Sequence, residues 1–268
     1  MRRKIQFKDF IKLKKFPFLV CPNALPNAGY SDFVQAVIRT GMKNVSLRAD
    51  WLLSDIVEKN DLQCYAVCLT GNFATAELQE KLYKTMDAAS KHGIPLVNIA
   101  CKRDMSLSER NNSVAFFRDA ADYAKEKSLQ FTLETYGVVS RTAKECLRVL
   151  EEVDRDTLQI CYDTANVWRF APEFKSAEDL TADFRKLAGV VGFMHLKDFE
   201  PETQKIMTIG EGQVDFPAIF KLLTDWQYSG VIGLDLETAR AGKINTVAAH
   251  EKELQLSMEY LSSLGVIE

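Results

Sequence analysis

The chain has 268 residues, with 34 Lys and Arg against 37 Asp and Glu, and a formal net charge of -3 at pH 7. The 47% hydrophobic composition supports a large buried core, and the acidic balance disfavours a nucleic-acid partner, whose phosphates call for a basic surface. No apolar run approaches the roughly 20 residues of a membrane helix, and the basic start (Arg2, Arg3, Lys4, Lys8, Lys12, Lys14, Lys15) lacks the apolar stretch of a secretory leader, so a cytoplasmic protein is expected.

Eight short apolar runs recur, each trailed by a polar segment with helical spacing. The first four are FPFLVCP (16–22), NVSLRAD (44–50), QCYAVCL (63–69) and PLVNIAC (95–101). LQFTLET (129–135), LQICYDT (158–164), VGFMHLKD (191–198) and VIGLDLET (231–238) complete the set. Amphipathic stretches such as SDFVQAVIRTG and TAELQEKLYKTMDAASKHG lie between them, with Gly41 and Gly93 as stop signals. Near-continuous apolar runs mark strands covered on both faces, the condition of a parallel sheet. Eight strand-helix repeats predict an α/β fold, a (β/α)₈ TIM barrel occupying residues 1–268 as a single domain. The alternative, a doubly wound sheet, usually has a Gly-rich turn after its first strand, and CPNALPNAGYSD contains no GxGxxG. The six cysteines (Cys21, Cys64, Cys68, Cys101, Cys146, Cys161) show no tight metal-type pairing, so free thiols are expected. GEGQVDFPAIFKLL reads as a turn into a helix capped by Asp215, with Pro217 in the first turn.

A barrel of this kind gathers its site at the carboxyl ends of its strands. Those ends supply Arg48, Glu134, Asp163, His195 and Glu237, on the second, fifth, sixth, seventh and eighth runs. Adjacent strands lie about 4.8 Å apart, so inward side chains from four consecutive ends can meet around one ion. A divalent cation also explains how three carboxylates tolerate one another in a poorly hydrated mouth. Taken singly, each acid reads as well as a helix cap, and a lone histidine reads as a hydrogen-bonded core residue. His92 and His250 lie away from the strand ends and are expected to be structural or exposed.

TLETYG, CYDTAN, HLKDFE, GEGQVDFPAIFKLL, YSGVIGLDLET and VSLRADW, in that combination, resemble the xylose isomerase-like TIM-barrel superfamily, in its sugar-phosphate isomerase/epimerase branch. The resemblance implies that Glu134, Asp163, His195 and Glu237 hold one divalent metal, and that Glu134 and Glu237 exchange protons with the substrate from opposite faces. It places Asn166 where many relatives have a histidine, so a hydrogen bond to a substrate oxygen is available there and a proton carrier is not. Many relatives self-associate, so a homo-oligomer is open.

The chemistry follows on its own terms. Shifting a hydrogen beside a sugar carbonyl needs a base, an acid and a cation to hold the enediolate oxygens. Three oxygen ligands and one nitrogen favour Mn²⁺, with Mg²⁺, Co²⁺ or Zn²⁺ as alternatives. Arg48, Asn166, Lys197 and Arg240 are the expected contacts to a small carbohydrate, although a salt bridge from Arg48 to a glutamate reads equally well. The expected activity is metal-dependent sugar or sugar-phosphate isomerisation or epimerisation. A keto-polyol dehydratase and a non-catalytic sugar-binding protein are the rivals. A multi-zinc nuclease is disfavoured, because two of the three histidines lie off the strand ends.

Overall fold

A computed structural model describes residues 13–26, 28–53, 62–237 and 246–267. The expected (β/α)₈ barrel is present: eight parallel strands close on themselves. In chain order the first four strands are β1 (Phe18–Val20), β2 (Asn44–Arg48), β3 (Gln63–Gly71) and β4 (Leu96–Cys101). Next come β5 (Gln130–Glu134), β6 (Leu158–Asp163) and β7 (Val191–Leu196). A short antiparallel hairpin, β8 (Asp198–Glu200) and β9 (Lys205–Met207), follows, and β10 (Ile232–Leu234) pairs with β1 and β7 to close the barrel.

The outer layer contains α1 (Tyr30–Arg39), α2 (Ala49–Leu53), α3 (Ala76–Lys91), α4 (Leu107–Glu126) and α5 (Ala143–Val153). It continues with α6 (Thr164–Phe170), α7 (Ala177–Phe184), α8 (Phe216–Asp225) and α9 (Val247–Ser263). Reciprocal capping boxes open α4 (Ser106 with Glu109), α5 (Thr142 with Glu145) and α7 (Ser176 with Asp179). As the sequence predicts, Asp215 caps α8, accepting from the Ala218 N–H at 3.0 Å.

Strand alternation divides the side chains into two populations. Leu19, Ala66, Leu96, Cys161 and Phe193 point inward and plug the barrel. Residues of the other parity, such as Ile160, Tyr162, Met194 and Leu196, pack outward against the helices. All six cysteines are free thiols.

Seven of the eight runs are shorter as strands than as sequence patterns, and the last two are instructive. VGFMHLKD leaves the barrel after Leu196, and VIGLDLET leaves it after Leu234. Both breaks occur where polar side chains begin. Asp198 causes the first. Its Oδ2 accepts the N–H groups of Gly210 and Gly212 at 2.9 and 2.8 Å, and its Oδ1 those of Phe199 and Val214 at 2.8 and 3.1 Å. The glycines of GEGQ thus spend their N–H groups on a carboxylate of the same chain. Gly210 takes φ +95, a left-handed conformation that side chains rarely adopt. Asp198→Ala would strand four backbone donors, two of them buried, and we expect it to lower unfolding stability by about 2–3 kcal/mol. An unchanged midpoint in urea would refute that role.

Candidate active site

The inward parity that fills the lower barrel with apolar groups delivers polar ones at its upper rim. Cys161 faces inward; Asp163, two residues on, takes the same side and pairs in register with His195, which pairs with Gly233. Glu134 pairs with Cys161 from the next strand. Beyond β10 the same parity continues through Asp235 to Glu237, while Leu234 and Leu236 join the outer core. The Asp235 N–H donates to Leu196 O at 3.2 Å, setting Asp235 just above His195. At Gly233 a Cβ would come within 2.7 Å of Cys21 Sγ and 3.0 Å of His195 Cδ2, so only glycine leaves the imidazole this room.

Glu134, Asp163, His195 and Asp235 each bring a ligand atom to within 4.8 Å of all the others. His195 Nδ1 lies 3.4 Å from Glu134 Oε2 and 3.6 Å from Asp235 Oδ2. Both ring nitrogens and Asp235 Oδ1 are buried with no hydrogen-bond partner. Asp163 divides its two oxygens. Oδ1 caps α6 through the Ala165 and Asn166 N–H groups at 3.0 and 2.8 Å, and Oδ2 faces the ammonium of Lys197 at 2.8 Å. Unpartnered buried nitrogen and oxygen are costly in a dry interior. They are also what a divalent ion would use, so this donor set fits a metal. Cys161 joins Glu134 and His195 at the same spacing, but burial drives its thiol far above the ordinary range.

Two amides fix Glu134. Asn98 Nδ2 donates to Oε2 at 3.1 Å, and Asn166 Nδ2 donates to Oε1 at 3.0 Å. Burial opposes the charge on Glu134, but His195 and Lys197 outweigh it and hold the carboxyl below its usual range. Asp163 behaves differently: burial dominates, despite Lys197, and pushes its carboxyl up to about 6.

Lys197 is 1% exposed. Its Nζ lies 2.8 Å from Asp163 Oδ2, 2.8 Å from Asp235 Oδ2 and 3.3 Å from Glu237 Oε1. Burial opposes its charge, yet these carboxylates overcome that and raise its pKa well above the ordinary value, so the ammonium persists. Glu237 also accepts from Asn23 Nδ2 at 3.5 Å. Its φ of +48 is left-handed, uncommon for a residue other than glycine and often found at working sites.

A cavity of about 330 Å³ opens over these groups, lined by Glu134, His195, Asp235 and Glu237 together with Arg48 and Tyr136. Of the residues expected from sequence, the structure brings together Glu134, Asp163 and His195 and completes the cluster with Asp235. Glu237, expected as the fourth ligand, stands two residues farther along, against Lys197. Asn166 contacts Glu134 rather than open space, and Arg240 lies outside the described residues, as does the basic stretch 1–12. His92 ends α3 and His250 is buried on α9. Asp235 and Asn98 were missed. Asp235 shares parity with Glu237, and only strand register separates their heights; Asn98 was legible as the one polar residue of LVNIAC.

An eight-stranded parallel barrel with a buried acid and imidazole cluster at its carboxyl rim defines a class of site suited to a divalent metal. Sequence comparison is more specific. The profile of the family described as xylose isomerase-like TIM barrel matches residues 31–264, and the chain belongs to that family. An inosose dehydratase of Clostridium tetani is 24% identical over 152 residues, a match covering 49% of this chain and about half, 49%, of that protein. Among solved structures, a D-psicose 3-epimerase of Clostridium cellulolyticum with D-tagatose superposes with a TM-score of 0.73 at 14% identity, covering 93% of this chain and 99% of that one. The IOLI protein with a zinc atom gives 0.70 at 14% identity, over 93% and 98%. A probable 3-DHS dehydratase of Bacillus anthracis gives 0.69 at 18% identity, over 89% and 98%. Identities this low show a shared fold.

Proposed function

We propose that this chain is a divalent-metal-dependent isomerase or epimerase of a small sugar or sugar phosphate. The observation that carries the reading is the cluster of Glu134, Asp163, His195 and Asp235, three of which (Glu134, His195 and Asp235) line one cavity together with a separate carboxylate, Glu237. Glu134, Asp163, His195 and Asp235 would hold the metal; three oxygens and one nitrogen favour Mn²⁺. When bound, such an ion acidifies the C–H beside a carbonyl by drawing charge from its oxygens.

The remaining work falls to side chains. Glu237, with the Lys197 ammonium 3.3 Å away, takes the proton from carbon. Glu134, its orientation set by Asn98 and Asn166, takes up a proton from solvent and delivers it to carbon, while Glu237 releases to solvent the proton it removed. Delivery to the opposite face of the carbon inverts it, giving epimerisation, whereas delivery to the neighbouring carbon exchanges aldose and ketose. Lys197 adds a fixed positive charge beside the oxygens that become negative. The likeness to an inosose dehydratase supports a second reading, in which the same base takes the proton and hydroxide leaves the adjacent carbon, carried off as water.

Solvent deuterium exchange into the substrate C–H, across a panel of ketoses, inosose and hydroxypyruvate, tests the proposal. We expect metal-dependent exchange that falls by at least about 10²-fold in both Glu134→Gln and Glu237→Gln. Wild-type exchange in both variants would defeat it. Loss of water from the substrate would select the dehydratase reading.

A further inference from the structure

The wall facing the acid cluster carries a cation that the proton-transfer chemistry does not use. In the closed strand order β1-β10-β7-β6-β5-β4-β3-β2, the strand diametrically opposite β6 is β2, which ends in Arg48. Arg48 lines the same cavity as Glu134, His195, Asp235 and Glu237. Its guanidinium stacks on Trp51 at 4.8 Å, and Trp51 is backed by Tyr30 and Phe33 at 5.5 and 5.3 Å between ring centroids. Stacking of this kind fixes the plane of the fork while leaving its N–H groups open.

A guanidinium has five N–H donors. The structure gives Arg48 one long hydrogen bond, from Nη2 to Pro26 O at 3.4 Å, and among the described residues no carboxylate within ion-pair distance. A salt bridge to a glutamate, the alternative the sequence allows, does not form. Burial pulls the guanidinium's pKa down, and Asp235 and Asp50 oppose this through space. Among the described residues, the other arginines that follow strand ends do not line this cavity. Arg103 and Arg169 stack on Phe170 at 5.0 and 5.4 Å, and Arg141 pairs with Glu145 at 3.0 Å. Lys81, also on the cavity wall, is paired with Asp50 at 2.6 Å.

We infer that the substrate is anionic: a small polyhydroxy carbonyl compound whose terminal carboxylate or phosphate docks on Arg48, across the barrel from its reacting carbons. The inference rests on the proton-transfer reading for the position of those carbons. A planar, pre-oriented fork with unused donors suits bidentate binding of such an oxyanion. A neutral sugar would leave the half-buried charge without a counter-ion.

Calorimetric titration of the full-length, Mg²⁺-loaded protein with inorganic phosphate and, separately, with succinate tests the docking without requiring turnover. We expect at least one of them to bind, and the probe preferred tells phosphate from carboxylate. Binding should weaken by about tenfold or more in Arg48→Gln and less in Arg48→Lys, which keeps the charge but loses the fork. Thermal melting establishes that each variant is folded, and Arg48→Lys alone decides if the glutamine variant is not. Absence of binding by both anions, or equal binding by wild type and variants, overturns the inference. If deuterium exchange fails on every ketose while anion binding still depends on Arg48, the proton-transfer reading falls and the anion site stands. If exchange on neutral ketoses is as fast in Arg48→Gln as in wild type and phosphorylated or acidic analogues exchange no faster, the anion site alone falls.

Discussion

Asp235→Asn is expected to reduce affinity for a divalent ion by more than about 100-fold, while Glu237→Gln leaves it within a few-fold. Replacing a residue that only supports a ligand typically costs about 10–100-fold, so loss of a ligand should exceed that. Asp235 is buried beside His195, has an unpartnered Oδ1, and belongs to the four-residue cluster. Glu237 lies on the same face of the chain but beyond that cluster, against Lys197 and Asn23. The amide of Asn keeps the size of Asp235 and removes the charge, so packing is preserved. Titration of Co²⁺, followed by its visible absorption, gives both constants directly. The reverse ranking, with Glu237→Gln the damaging change, would restore the ligand set expected from the sequence and remove Asp235 from it.

The second large effect is on stability. Lys197→Met should lower the melting temperature of the metal-stripped protein by roughly 10 °C. Removing one partner of a buried ionic network typically costs about 3–5 kcal/mol, and each kcal/mol moves Tm by about 2–4 °C in a large domain. Here one ammonium serves Asp163, Asp235 and Glu237, and methionine fills much of its volume without its charge. A divalent ion at saturating concentration should raise Tm more in the variant than in wild type, because its charge replaces what was lost. Calorimetric scans with and without Mn²⁺ measure both effects. Equal melting of wild type and variant without metal would show that the carboxylates do not depend on Lys197.

The architecture was legible because the physics that makes a barrel acts on short windows. Each of the eight apolar runs coincides with one barrel strand, since a strand covered on both faces is apolar at most positions. Glu134, Asp163 and His195 were legible for the same reason, as polar side chains that interrupt such runs at their carboxyl ends. Asp235 and Glu237 show where a single sequence stops informing. Both have inward parity, and the height of each above the barrel floor depends on pairing with β7, a long-range property absent from GLDLET itself. Lys197 illustrates a different limit. Its parity was readable, but its role as the shared partner of three carboxylates emerges only when residues about 35–40 positions away on either side are brought to it. Asp198 reads as a supporting or capping group, and it supports a loop; which amides it holds was not legible, because three of its four donors lie 12, 14 and 16 positions along the chain.

Lys197 and Asp198 are consecutive, and they face opposite ways. One side chain reaches into the barrel and grips the acids of the site; the other reaches outward and grips the backbone of residues 199–214. A single peptide bond is therefore the pivot of a lever between an outer loop and the charged floor of the cavity. Swapping that loop for a relative's, with its amide groups offset by even an ångström, would turn the pivot and drag the ammonium off its carboxylates. Loop grafting on this scaffold should keep Asp198 and both glycines in place, or re-tune the cavity from outside it.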